Sequence, residues 1–201
     1  MNQSTKPVKL SRVNTGLVVF IVVVNSYIVV MPFVPAITFW LQSHSMARQR
    51  LKQELLAPSA VPAGVSTPPI QNRLIIPAML LDAPINEGSA SVALRKGLWH
   101  LPGSGNPTAG GNMVIAGHRF TYTNPEGVLY NLNRVVTGDI VGVFWQNKRY
   151  LYTVHTVTIV PPTDSTIEAP SSQNQLTIYT CTPLWWPKDR LVVIADLETN
   201  S

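Results

Sequence analysis

Apolar and polar positions divide this chain into two unlike parts. From Leu17 to Leu41 no residue is charged: Leu17 to Val24 is continuously apolar, Asn25-Ser26 interrupts, and Tyr27 to Leu41 continues. About 20 predominantly apolar residues cross the hydrocarbon of a bilayer, so the segment predicts an uncleaved transmembrane anchor at 17–41 behind a short N-terminal tail, 1–16. Residues 44–56 have helix-favouring composition and predict a juxtamembrane helix. The small residues and prolines of 57–69 predict a semi-extended spacer, so that 42–69 as a whole separates anchor from domain. Beyond residue 70 the pattern changes to short apolar runs rich in Val, Ile, Thr, Tyr and Phe, separated by turn residues. Strands are expected at Arg73–Ile76, Ala83–Asn86, Met113–Gly117, Asp139–Trp145, Tyr150–Val160, Leu176–Thr180 and Leu191–Leu197. Ser89–Leu94 and Val128–Leu132 are expected to form helical turns. Many short strands with few helices predict an all-β, closed or nearly closed barrel over 70–201.

Composition narrows the partners. The net charge is +5 and the pI near 9.6, yet only 12% of residues are charged. The basic residues are scattered, with no run dense enough to track a phosphate backbone, which argues against nucleic acid. An acidic envelope or anionic lipid headgroups suit this charge better. Lys6, Lys9 and Arg12 precede the apolar segment while Arg48, Arg50 and Lys52 follow it, so the positive-inside count leaves orientation open. The acidic residues Asp82, Glu87, Glu126, Asp164 and Glu168 are too dispersed to suggest a calcium site.

Chemistry centres on the single cysteine, Cys181, which closes the strand-like Leu176–Thr180 run; Arg190 heads the next apolar run nine positions later. One thiol forms no internal disulfide and makes a poor metal site, which leaves a nucleophile or an inert buried side chain. Of four histidines, His44 lies beside the apolar segment and His155 alternates within an expected strand, and both read as structural. His100 is open to either reading. His118 ends Met113-Val114-Ile115-Ala116-Gly117-His118, where Gly117 allows close backbone approach just before the imidazole. The thiolate is the form that attacks a carbonyl, and an imidazole can take its proton and return one to a leaving amine. A guanidinium offers fixed donors to the oxyanion. Cys181, His118 and Arg190 are thus the expected catalytic set, with Thr180, Gly117, Trp185 and Trp186 as substrate-binding candidates. For the two tryptophans, ordinary packing, an aromatic groove wall and contact with the lipid interface all remain open.

Thr177-Ile178-Tyr179-Thr180-Cys181 resembles the sortase signature Thr-Leu-x-Thr-Cys, with Ile at the Leu position. Cys181-Thr182-Pro183 followed by Arg190-Leu191-Val192-Val193 resembles the Cys-Thr-Pro…Arg-Leu-x-Val arrangement of several sortases. Met113–Arg119 is similar to the segment that carries the family's catalytic histidine. Leu98–Pro102, Gly138–Val141 and Val160–Asp164 follow in the family's order, so the likeness covers about residues 70–197. It implies an eight-stranded sortase-type barrel on an anchor whose N-terminus is cytoplasmic. The activity implied is a cysteine transpeptidase, needing no cofactor or metal, that cleaves a Leu-Pro/Ala-x-Thr-Gly-like sorting signal between Thr and Gly. The acyl group would pass to an amine of a cell-wall precursor or a pilin. Residues 57–73 carry neither Asp nor an aromatic residue, unlike the Asp-Pro-aromatic lid of many pilin-polymerising sortases. That difference favours a housekeeping or class E-like enzyme. Two rival readings stand beside this one: another cysteine acyl-transfer hydrolase, and a membrane-tethered peptide-binding barrel without catalysis.

Overall fold

A computed structural model describes residues 8–43, 46–56, 71–121 and 127–198. The expected spacer at 57–69 lies outside the described residues, as do His44, Glu126 and the first seven positions. The apolar segment opens with α1 (Val8–Val30), passes through a 3-10 turn at Met31–Phe33, and continues as α2 (Val34–Ser43). The break has a local cause, because Pro32 and Pro35 each remove a helical donor; the Val34 N–H closes the turn on the Met31 carbonyl instead. Asn25, the polar interruption, donates its side-chain amide to the Ile21 carbonyl at 2.7 Å, so it meets its hydrogen-bonding need within its own helix. After α3 (Ala47–Leu56) the remaining chain builds the barrel.

Eight strands close on themselves: β1 (Arg73–Ile76), β2 (Leu81–Asn86), β3 (Leu98–His100), β4 (Asn112–Ala116), β5 (Ile140–Trp145), β6 (Lys148–Val160), β7 (Gln175–Thr182) and β8 (Asp189–Leu197). Their order around the wall is β1-β2-β3-β4-β7-β8-β6-β5, and β5 pairs with β1 to remove the last open edge. Two neighbouring pairs, β2 with β3 and β4 with β7, are parallel; the others are antiparallel. The helix α4 (Ala90–Lys96) makes the β2–β3 crossover, as expected for Ser89–Leu94. The turn expected at Val128–Leu132 is present and runs into a 3-10 turn at Leu132–Arg134. β3 was not anticipated: three residues, one of them the buried His100, give no period to read.

Alternation along the strands fills the barrel. Leu74 and Ile76, Leu81, Ala83 and Ile85, Met113 and Ile115, Val141 and Val143, Leu176 and Ile178, and Leu191, Val193 and Ala195 all join one core. The intervening positions face outward, and parts of that outer face are covered. Leu55 of α3 is buried on the outside of the barrel against Gly142, which is partnered in register with Ile75. Such a burial contributes about 1.5–3 kcal/mol. Beside it Arg73 pairs with Glu54 of α3 and with Asp82, and lies 4.4 Å over the Phe144 ring. His100 is a brace rather than a reactive group. Its Nδ1 meets the Glu87 carboxylate at 2.8 Å, and its Nε2 lies 2.9 Å from the Gly105 carbonyl and 3.1 Å from Ser104 Oγ.

A Cβ at position 142 would overlap the Leu55 side chain. Gly142→Val is therefore expected to release α3 from the wall. Hydrogen exchange should rise across 47–56 while the β7 and β8 amides stay protected; unchanged exchange in α3 would show that Leu55 does not hold the helix.

Candidate active site

The register of three adjacent strands determines what meets at one rim. β4 and β7 run parallel with Ala116 opposite Tyr179, so two residues further on His118 and Cys181 leave the wall level with one another. Leu176, Ile178 and the buried Thr180 point inward, which puts Tyr179 and Cys181 on the outer face; by the same alternation Ala116 and His118 share that face. On the other side β8 is antiparallel to β7, with Arg190 directly opposite Cys181. Directly opposed residues face the same way, and Arg190 Nη1 donates toward Cys181 Sγ at 3.5 Å. His118, Cys181 and Arg190 thus form one outward row across β4, β7 and β8. The thiol is half-buried, Arg190 likewise, and His118 is exposed.

The remaining candidates separate. Thr180 does not line this face: its buried hydroxyl donates to the Gly117 carbonyl at 2.8 Å, bracing the ends of β7 and β4 from inside. Gly117 is needed for packing, since a Cβ there would stand 2.8 Å from Val128 Cγ1 and 3.0 Å from Leu129 Cδ1. Trp185 and Trp186 sit on the loop joining β7 to β8 and are 51% and 79% exposed. The Trp185 ring meets Phe33 at 5.9 Å and Phe120 at 6.2 Å.

The segment between β6 and β7 folds back over the outer face and walls it. The Asn112 side-chain amide donates to the carbonyls of Ile167 and Ala169 at 3.1 and 3.0 Å, while its oxygen accepts from Thr177. Tyr179 donates its hydroxyl to Glu168 at 2.6 Å. Burial first, and then the Glu168 carboxylate, push the Tyr179 phenol far above its ordinary value, so it remains a neutral donor. Asp164 caps the 3-10 turn at Ser165–Glu168; bonds from the Thr166 hydroxyl and amide hold its carboxyl below the usual range. On the opposite side His118 borders a cleft of about 590 Å³ that also meets Asp82, Arg95, Lys96 and Thr121. Among the described residues no cluster of His, Cys, Asp and Glu is arranged to hold a metal ion.

Two contributors went unread in the sequence. Arg119 donates to Thr182 Oγ1 at 2.7 Å, to Asn133 Oδ1 at 3.1 Å and to the Tyr130 carbonyl at 3.3 Å. One guanidinium thereby ties the residue after His118 to the residue after Cys181, and burial lowers its pKa from the ordinary guanidinium value. Gly127 is the other. A Cβ there would collide with the Arg119 backbone and stand 2.7 Å from the His118 carbonyl, which accepts the Leu129 amide at 3.0 Å. Its adjacency to a strand-end histidine was the available hint for Arg119; Gly127 left none.

Compared with known proteins, residues 74–198 match the model of the Sortase domain. A Clostridium perfringens Sortase D5 transpeptidase is 26% identical with a TM-score of 0.58, over 64% of this chain and 79% of its own. Sortase A from Corynebacterium diphtheriae is 26% identical with a TM-score of 0.59, over 77% of this chain and 82% of its own. Sortase C1 of Group B Streptococcus Pilus Island 1 is 27% identical with a TM-score of 0.59, over 65% of this chain and 64% of its own. Among curated proteins the sequence finds no match.

Gly127→Ala is expected to shift the His118 backbone while the barrel stays folded. Turnover of a sorting-signal peptide should fall about tenfold or more, with a lowered melting temperature but a cooperative unfolding transition retained. An unaltered rate would show that the approach of residue 127 does not position the imidazole.

Proposed function

The chain belongs to the sortase family of transpeptidases, and from that premise we propose that it cleaves a Leu-Pro/Ala-x-Thr-Gly-like sorting signal between Thr and Gly and passes the acyl group to an amine. In this reading Cys181 Sγ, as thiolate, attacks the Thr carbonyl carbon. The tetrahedral intermediate collapses, the C–N bond to Gly breaks, and His118 gives a proton to the leaving amine. The thioester left on Cys181 is then attacked by an amine of a cell-wall precursor or pilin. His118 takes the amine's proton, the new C–N bond forms, and the C–S bond breaks to return the thiolate. Arg190 offers its donors to the sulfur and to the oxyanion. Trp185 and Trp186, on the loop that leaves the nucleophile's strand, would wall the bound peptide. Gly117 and Thr180 act through the shape of the rim rather than by touching the peptide.

The observation that carries this reading is the outward row of His118, Cys181 and Arg190 on three neighbouring strands, with a guanidinium nitrogen 3.5 Å from the only sulfur of a cysteine. A purely structural thiol would have no reason to sit half-open beside a cation. The same reading takes 17–41 as a single-pass anchor, with 1–16 cytoplasmic, 42–69 a juxtamembrane helix and spacer, and 70–201 the extracytoplasmic catalytic domain. The support is one apolar helix, Val13–Phe33, long enough to span. The similar solved structures named above are of sortases A, C and D, and the preference for a housekeeping or class E-like enzyme rests on the composition of 57–73.

A panel of Leu-Pro/Ala-x-Thr-Gly peptides with an amine acceptor tests the proposal on the full chain. Cys181→Ala should abolish cleavage, and Arg190→Ala should slow it by about 10²-fold or more with the fold retained. Turnover that survives loss of the thiol would overturn the reading, and a near-native rate without Arg190 would remove the oxyanion role.

A further inference from the structure

Three contacts join the catalytic rim to the end of the apolar helix. Tyr130 donates its hydroxyl to the Pro32 carbonyl at 2.8 Å, the Arg134 guanidinium lies 4.1 Å over the Phe39 ring, and Trp185 meets Phe33. Each barrel residue belongs to the site's own surroundings. Trp185 follows Cys181 by four positions, and its second ring partner, Phe120, follows His118 by two. Tyr130 supplies a carbonyl to Arg119, and Arg134 ends the turn that contains Asn133.

The span then locates this rim relative to lipid. Val13–Phe33 is 21 residues long, and at about 1.5 Å per residue it reaches about 31 Å, matching a hydrocarbon core of about 30 Å. Almost none of it is covered by protein. With the span so placed, Phe33 stands at the edge of the hydrocarbon, and the Trp185 ring centroid is 5.9 Å from its ring. Past the proline turn, α2 buries Phe39 against the barrel and leaves Ile37, Trp40 and Leu41 exposed. Trp186, the most exposed large apolar side chain of the barrel, is on the same rim. Tryptophan is favoured at the membrane interface, where its ring meets lipid and its N–H meets water. The exposed Ile37, Trp40 and Leu41 of α2 suit that layer as well.

We propose that the rim carrying Cys181 rests on the membrane surface, with Trp185, Trp186 and the exposed side of α2 among the lipid headgroups. The catalytic cleft then opens at the bilayer interface, and its partners are chains or amines held at that surface. This inference rests on the anchored reading above, with the hydrocarbon span at Val13–Phe33 and the rest of 17–41 at the interface. It does not depend on the transpeptidase chemistry.

The test uses the full chain with its only cysteine removed by Cys181→Ser and one thiol restored per variant: Trp186→Cys, Val23→Cys in the middle of α1, or Lys148→Cys beside the β5–β6 turn, at the end of β6 remote from Arg190. Each is labelled with an environment-sensitive fluorophore and reconstituted into phosphatidylcholine–phosphatidylglycerol vesicles containing lipids with a quencher at shallow or deep positions. The expected result is deep quenching at 23, shallow quenching at 186 and none at 148. Quenching at 23 with none at 186 would overturn the proposal while sparing the anchor; no quenching at either would remove both. Self-quenching at 186 that grows with protein density, without lipid quenching, would identify a second copy as the occupant and likewise overturn it. As a check free of labelling, the Trp40→Phe chain, which lacks the tryptophan of α2, and its Trp185→Phe/Trp186→Phe variant are compared in brominated-lipid vesicles. The variant should lose most of the quenchable tryptophan signal, and an undiminished signal would contradict the proposal.

Discussion

The site depends on the hydrogen-bond register between β7 and its two neighbours. His118 and Cys181 are separated by dozens of residues, yet the parallel β4–β7 ladder leaves them side by side two residues past the Ala116–Tyr179 pair. The antiparallel β7–β8 ladder puts Arg190 opposite the same sulfur. A slip of one residue in either ladder would turn the shifted strand's outward positions into the core, where Ile178, Leu191 and Val193 now pack. Burial of the inner face thus enforces the alignment of the outer face. No dedicated contact between the three reactive groups is needed to bring them to one rim.

Fixed register is not fixed aim, and the rim has its own braces. Arg119 spans from beside His118 to Thr182, and Thr180 reaches inward to Gly117. The turn at 127–129 closes on the His118 carbonyl where only a glycine fits. Each of these satisfies a polar group that burial would otherwise leave costly, so stability and positioning come from the same bonds. The Asn112 and Tyr179 contacts hold the β6–β7 segment against the outer face in the same manner.

Much of this was legible in the sequence, for identifiable reasons. Seven of the strands announced themselves as short runs rich in Val, Ile, Thr, Tyr and Phe between turn residues, and in β7 the inner face alternates through Leu176, Ile178 and Thr180. That same alternation puts Thr180 inside and Cys181 outside, which makes the threonine a brace. β3 was silent because it is three residues long and is defined by partners on either side. Convergence of the thiol, imidazole and guanidinium was beyond sequence reasoning, since spacing along a chain carries no register between strands distant in order. Arg119 looked like one more surface cation; only its three acceptors reveal a structural tie. The turn at 31–33 follows locally from Pro32 and Pro35, whereas its contact with the barrel through Tyr130 depends on residues distant in sequence.

Capture of the acyl-enzyme tests the central claim most directly. The full chain is incubated with a sorting-signal peptide without added amine, quenched in acid, and read by intact mass and peptide mapping. The account predicts an added mass equal to the peptide through its Thr, carried on Cys181, forming more slowly when His118 or Arg190 is replaced by alanine. An enzyme that turns the peptide over with no acyl group on Cys181, or that forms it equally fast without those neighbours, would contradict it.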